Sequence, residues 1–107
     1  MAGVCVIVAY RPKAGKDKDL LDLVRQRVPT LRKEGFVTGR EPTIMRAKDG
    51  TIIEVSEWKS HEAIEAAHKN ENVWAMWNKF FELCDCIPLK QLPEAEEMFA
   101  GFEPIAD

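Results

Sequence analysis

The chain has no apolar run approaching the ~20 residues of a membrane span, so no membrane helix is expected. It has no basic stripe and no interleaving of aromatic with basic side chains, which argues against a nucleic-acid partner. The formal charge of −3, from 15 Lys and Arg against 18 Asp and Glu, points the same way. Cysteine is scarce, with three residues and therefore an odd number. That argues against a disulfide framework and suits a reducing, cytoplasmic setting. Residues 1–12 carry neither a charged leader nor a small-residue cleavage site, so no secretory signal is expected. There is no Gly-rich phosphate loop, no Ser-His-Asp order and no internal repeat.

What is there fits one globular domain, residues 1–107, with 46% hydrophobic and 31% charged residues. Residues 4–10, VCVIVAY, are almost wholly apolar and β-branched, which predicts a strand buried on both faces. Pro12 and Gly15 mark a turn. Over residues 17–34 the spacing becomes helical, with Leu20, Leu21, Val24, Val28 and Leu31 on one stripe. Asp17 and Asp19 suit its N-terminus, Gly35 its end, and Pro29 predicts a kink inside it. Residues 37–48 form a second extended segment interrupted by Pro42, and Asp49-Gly50 predicts a hairpin turn. Residues 51–58, TIIEVSEW, form the third strand. Ser60 caps a second helix reaching about residue 84, with a weak point at residues 69–72. A fourth strand near 86–92, a short helix at 94–98 begun by Pro93, and a short strand within 101–105 complete the reading.

The order β-α-β-β-α-β predicts a ferredoxin-like α+β domain: an antiparallel sheet with both helices on one face. Its first strand offers Val4, Val6, Val8 and Tyr10 to one side, and Cys5, Ile7 and Ala9 to the other. The helices can cover only one of these sides, and no third layer is evident. Packing against a second copy of the chain is the economical cover, so a homodimer is expected.

The segment EVSEWKSHEAIEAAHKNENVWAMWNKF resembles the antibiotic biosynthesis monooxygenase family of the dimeric α+β barrel superfamily. The resemblance rests on the Trp-x-Ser end of the third strand, the Ala-Ala-His of the second helix and the aromatic turn after it. AYRPKAGKDKDLLDLV and LRKEGFVTGR resemble the family's entry to and exit from the first helix. The likeness covers a core of about residues 4–90, with 92–107 as a C-terminal extension. It implies a homodimer with a pocket between sheet and helices, and oxidation of quinol-like or polyketide aromatics by O₂ without metal or flavin. The haem-degrading branch of the superfamily uses an Asn late in the first strand, then a Trp and an axial His in the second helix. The corresponding positions here hold Tyr10, Ala67 or His68, and Trp77, so haem degradation is not expected.

His68 is the candidate for proton handling. A helical wheel sets it roughly 120° from the centre of the apolar face, whereas a break at residues 69–72 would turn it inward, and the family's helix-two histidine favours that orientation. Trp74, Trp77 and Phe81, with Cys84, form an aromatic stripe that fits a packed core or the wall of a cavity for a flat aromatic or hydrophobic ligand. Tyr10 is a further pocket candidate. Trp58 closes either the pocket or the edge of the core. His61, Glu65 and His68 have the composition of a facial triad, but they share the polar face of one helix, so no metal is expected. Cys84 and Cys86 should lie on one strand face as buried, inert thiols. Glu54 and Glu57 point to opposite sides of the third strand. Either could serve as a base with a raised pKa, but pairing with Arg40 or Arg46 is the simpler expectation. The functional expectation is a monooxygenase of hydroxylated aromatics or quinols. The alternatives are a module that sequesters a small molecule and a structural dimer.

Overall fold

The computed structural model describes residues 3–105. Its order is β1 (Val4–Pro12), α1 (Asp17–Lys33), β2 (Thr43–Arg46), β3 (Ile52–Trp58), α2 (His61–Ala67), α3 (Glu71–Leu83), β4 (Cys84–Ile87) and β5 (Glu103–Pro104). Two 3-10 turns, Leu89–Gln91 and Pro93–Glu96, join the last two strands. The five strands make one antiparallel sheet in the order β4-β1-β3-β2-β5. This is the expected ferredoxin-like arrangement, with β5 added beyond β2. The central pairing runs from Val4 opposite Trp58 to Tyr10 opposite Ile52.

Helix α1 begins and ends as its residues dictate. Asp17 and Asp19 occupy the first turn, and Arg32 and Lys33 the last, each sign matching the nearby helix dipole. Gly35 takes φ 84°. The Gly35 N–H donates to the Arg32 carbonyl at 3.0 Å and the Phe36 N–H to that of Leu31 at 3.1 Å, a Schellman stop that uses glycine's freedom at positive φ. The helix passes through Pro29 as one element. Its buried stripe is Leu20, Leu23, Val24, Arg27, Val28 and Leu31. Leu23 takes the place expected for Leu21, which is half-buried, and a charged residue, Arg27, sits among the aliphatics. Fully burying each such aliphatic contributes about 1.5–3 kcal/mol.

Four expectations need correction. The second extended segment shrinks to β2 and one bridge between Val37 and Trp58; the strand starts only after Pro42, which has no N–H to give the ladder. The second helix is two. α2 stops at Ala67, and Asn70 caps α3 by accepting from the Val73 N–H at 3.1 Å, so the weak point is a full break. The fourth strand starts at Cys84, which is already extended where α3 ends, and stops before Pro88. The helix expected at 94–98 is the shorter 3-10 turn Pro93–Glu96.

The larger core lies between sheet and helices. It includes Val24, Val28 and Leu31 of α1, Ile52 and Trp58 of β3, and Val73, Met76 and Phe80 of α3. The other side of the sheet corrects the expectation that nothing in the chain covers it. Leu92 and Phe102 from the C-terminal extension pack over Ala9, Ala47 and Ile53. The cover is partial: Cys5 is exposed and Ile7 is 49% exposed, so β1 is not buried on both faces along its length. Leu92 itself is 1% exposed. Leu92→Ala should therefore cost about 2–5 kcal/mol, as for other fully buried leucines. Urea unfolding of the purified variant measures this; a loss under about 0.5 kcal/mol would mean that the extension does not cover the sheet.

Candidate functional site

A cavity of about 260 Å³ opens between α3 and the helix-facing side of the sheet. Its walls are Val8, Trp74, Trp77, Phe80 and Phe81, and its polar lining comes from Tyr10, Arg27, His68 and Cys86. The aromatic rings hold one another apart. Trp77 meets both Trp74 and His68 edge-on, at 5.1 and 4.9 Å between ring centres, while Phe80 stacks on Tyr10 at 5.0 Å. Such pairings make a rigid wall. Trp74 and Phe81, 38% and 54% exposed, stand at the mouth.

The inner end is polar. Glu54 of β3 is fully buried. Its Oε1 accepts from the Tyr10 hydroxyl at 2.9 Å and from Arg27 Nη1 at 3.0 Å. The same Nη1 donates to Ser56 Oγ at 3.2 Å, and the guanidinium carbon stands 5.8 Å from the centre of the Trp58 ring. Glu54 Oε2 has no hydrogen-bond partner among the described residues. Burial pushes the Glu54 carboxyl above its ordinary range, against the opposing pull of Arg27 and the Tyr10 hydrogen bond. Burial likewise raises the Tyr10 phenol well above its usual value. Both shifts have the same origin: water that would stabilise an anion is excluded.

This arrangement corrects the expected pairing of Glu54 with Arg40 or Arg46. Its partner comes from α1, across the layer, because Glu54 faces the helices. Glu57, on the opposite side, does pair with Arg40, at 3.2 Å, and accepts from Thr38 Oγ1 at 2.9 Å. Arg27 was not anticipated. The signal was its phase: it falls on the stripe of Leu20, Val24 and Leu31, where a charge needs a buried partner.

His68 sits at the helix break, immediately after α2. Its Nδ1 lies 2.8 Å from the Ile64 carbonyl. A carbonyl only accepts, so Nδ1 carries the proton, and in the neutral ring Nε2 is left as an acceptor. The His68 carbonyl accepts from the Trp74 indole. The break is tied to α1 through Glu34, whose Oε1 accepts from Asn70 at 2.9 Å and Oε2 from Asn72 at 3.3 Å. The structure thus brings together Tyr10, His68, Trp74, Trp77 and Phe81 of the expected residues. Trp58 is set apart: it is 3% exposed in the core under Arg27 and is not among the cavity walls. His61, Glu65 and His68 do not converge; no group of three or more His, Cys, Asp or Glu suited to a metal ion occurs among the described residues.

The thiols also depart from expectation. Cys84 is buried, but Cys86 is exposed and lines the cavity. The Cys84 thiol lies 3.2 Å from the Phe80 carbonyl, and Cys86 follows it two residues on in the same strand. When Cys86 ionises, its thiolate is the stronger acceptor for that S–H. The hydrogen bond lowers the Cys86 pKa to about 7, with Arg27 assisting, and raises that of Cys84.

A model of the antibiotic biosynthesis monooxygenase family matches residues 3–78 of the chain. No curated protein and no solved structure matches it.

The coupling of the two thiols predicts selective alkylation. Iodoacetamide should label Cys86, with a rate rising through pH about 7, and leave Cys84 unmodified in the folded protein. Cys84→Ala should move that midpoint upward toward the ~8.5 of an ordinary thiol. Peptide mass mapping across pH reads both, and an unchanged midpoint in Cys84→Ala would rule out the hydrogen bond as the cause.

Proposed function

The chain belongs to the antibiotic biosynthesis monooxygenase family, and from that premise we propose that it oxidises a small hydroxylated aromatic or quinol with O₂, needing no cofactor, in the cytoplasm. The observation that carries this reading is the aromatic-walled cavity with polar groups at both ends. At about 260 Å³ it lies just below the usual ~300–1,000 Å³ of ligand pockets, which suits a small ring system better than a long fused one.

In this reading the substrate supplies the electrons. Loss of a hydroxyl proton gives an electron-rich phenolate, which passes one electron to O₂. The resulting radical and superoxide combine to a peroxide at a ring carbon that still bears hydrogen. Loss of water then leaves a carbonyl, with one oxygen atom in the product and the other in water. The protein's part is to stack the ring between Trp74, Trp77 and Phe81, exclude water and move protons. His68 exchanges the proton through Nε2 at the mouth, and Tyr10 bounds the inner end.

The functional unit in this proposal is a homodimer joined through the uncovered part of the sheet. Ile7, Leu89, Met98 and Phe99 are 49%, 38%, 89% and 87% exposed. Ile7 and Leu89 also line an apolar groove, together with Val55, Leu92, Ala95 and Phe102. Apolar surface of this kind in one place is a mark of association. Among the described residues no helix is long and apolar enough to cross a membrane.

Two measurements test the proposal. Sedimentation equilibrium should give twice the chain mass of 12.2 kDa, and Ile7→Lys should shift it toward the monomer; a folded wild-type monomer at micromolar concentration would end the dimer reading. An anthrone or hydroquinone should consume O₂ in the presence of the protein, and His68→Ala should slow this by the ~10²–10⁴-fold of a lost acid–base group. Unchanged turnover would remove His68 from the mechanism. Tight binding of aromatics without turnover would leave the sequestering module instead.

A further inference from the structure

Arg27 has donors left over. Through Nη1 it serves Glu54 and Ser56; its other N–H groups have no protein partner among the described residues. Its side chain is only 7% exposed, yet it lines the cavity. The groups facing it are Glu54 and Ser56 from β3, Tyr10 from β1, Cys86 from β4 and the Trp58 ring. The Tyr10 hydroxyl is already donating to Glu54. A ligand oxygen reaching this end therefore meets guanidinium N–H donors.

We propose that the inner end of the cavity is an anion seat, in which Arg27 binds the ionised oxygen of a flat aromatic ligand, phenolate or carboxylate, and Glu54 and Tyr10 are positioning residues that hold the guanidinium. The proposal rests on the cavity being the ligand site; it does not require that the ligand be oxidised. Three points support it. A guanidinium presents its donors in a fixed planar fork, and an anionic oxygen is the acceptor that best matches it. The surrounding walls are apolar, so the attraction is less screened than at the surface. A neutral, purely apolar ligand would strip water from those donors and return nothing for them. A cation is opposed by the charge of Arg27 itself.

Glu54 sets the strength of the seat. While ionised it cancels much of the charge that a ligand would feel. Its unpartnered Oε2 is the atom that can take a proton, and burial favours that protonated state. Glu54 is thus both the support of Arg27 and its competitor for the incoming anion. Removing its charge while keeping its shape should strengthen ligand binding, the opposite of what a merely structural glutamate would do.

The test uses 4-nitrophenol, which absorbs in the visible only when ionised, and 4-nitroanisole as its neutral counterpart. The wild type should bind 4-nitrophenol in the ionised form at a pH where the free dye is largely neutral, and more tightly than 4-nitroanisole. Glu54→Gln should tighten phenolate binding several-fold. Arg27→Met alone would orphan a buried carboxylate and endanger folding, so the arginine is removed in the Glu54→Gln background. Arg27→Met with Glu54→Gln should weaken phenolate binding by ~10–100-fold relative to Glu54→Gln and leave 4-nitroanisole within about threefold. Arg27→Lys in the same background should restore part of the loss and the visible band. Dye bound only as the neutral phenol, equal losses for both dyes, or no loss in the double variant would each overturn the seat. An ionised, Arg27-dependent dye in a protein that oxidises no hydroquinone would uphold the seat and sink the oxidation reading. Turnover with no Arg27-dependent dye binding would do the reverse.

Discussion

The buried contact between Arg27 and Glu54 is the constraint on which both the fold and the cavity turn. Neither charge tolerates burial alone, since an unpaired ion in a protein interior costs several kcal/mol. Glu54 faces the helices because the period of a strand puts it in phase with Ile52 and Ser56. Arg27 faces the sheet because the period of a helix puts it in phase with Leu20, Val24 and Leu31. α1 can therefore lie on the sheet only where the two meet, and the 3.0 Å contact sets its position along β3. A pair of apolar side chains of the same volume would pack there equally well, and commonly with more stability. Stability alone is thus a poor reason for the pair. A cavity wall that includes Arg27 and Tyr10 is a better one: the ions, with the tyrosine bridging to Glu54, are what make one end of an otherwise greasy space polar.

The space exists because α2 and α3 are separate. A single straight helix from residue 61 to residue 84 would have carried one continuous apolar face across the sheet. Asn70 instead ends one helix and starts the next, and Glu34 ties that corner to α1. The corner places the His68 ring against Trp77, and Trp77 against Trp74. Rings that meet edge-on brace one another away from the sheet, leaving a gap over Val8, whereas Phe80 reaches down and stacks flat on Tyr10. One residue type thus both fills the core and walls the hollow, depending only on which side of the helix presents it.

That dependence explains what could be read from the sequence. Strand β1, helix α1, the Gly35 stop, the Ser60 cap and the antiparallel order follow from local periodicity and turn chemistry, which are encoded over a few neighbouring residues. The helix break was visible as a polar KNEN run, but whether such a run bends or divides a helix depends on a partner, Glu34, that is remote in sequence. Trp58 and Trp77 illustrate the same limit. Both are tryptophans at apolar positions, and only the packing of α1 and α3 decides that one is sealed under Arg27 while the other borders the cavity. Arg27 was legible as a misplaced charge on a buried stripe; its partner was not, because Glu54 had closer candidates in Arg40 and Arg46. Cys86 was misread because strand alternation gives the side a residue faces, not how much lies over it.

The two sides of the sheet are covered by different means, and this bears on how the cavity is kept. On the helix side the cover is thick and leaves a pocket. On the other side it is thin: two 3-10 turns and a two-residue strand carry Leu92 and Phe102 onto Ala9, Ala47 and Ile53, and Ile7 stays half exposed. β1 is shared by both sides. Tyr10, part of the seat for Arg27, precedes Arg11 and Pro12 at the same end of the strand where Ala9 is clamped from behind by Leu92. A side chain in a strand can be held to a fraction of an ångström only if the strand's other face is also packed. The C-terminal extension, which lies outside the matched residues 3–78, therefore supports the inner end of the cavity from the far side of the sheet.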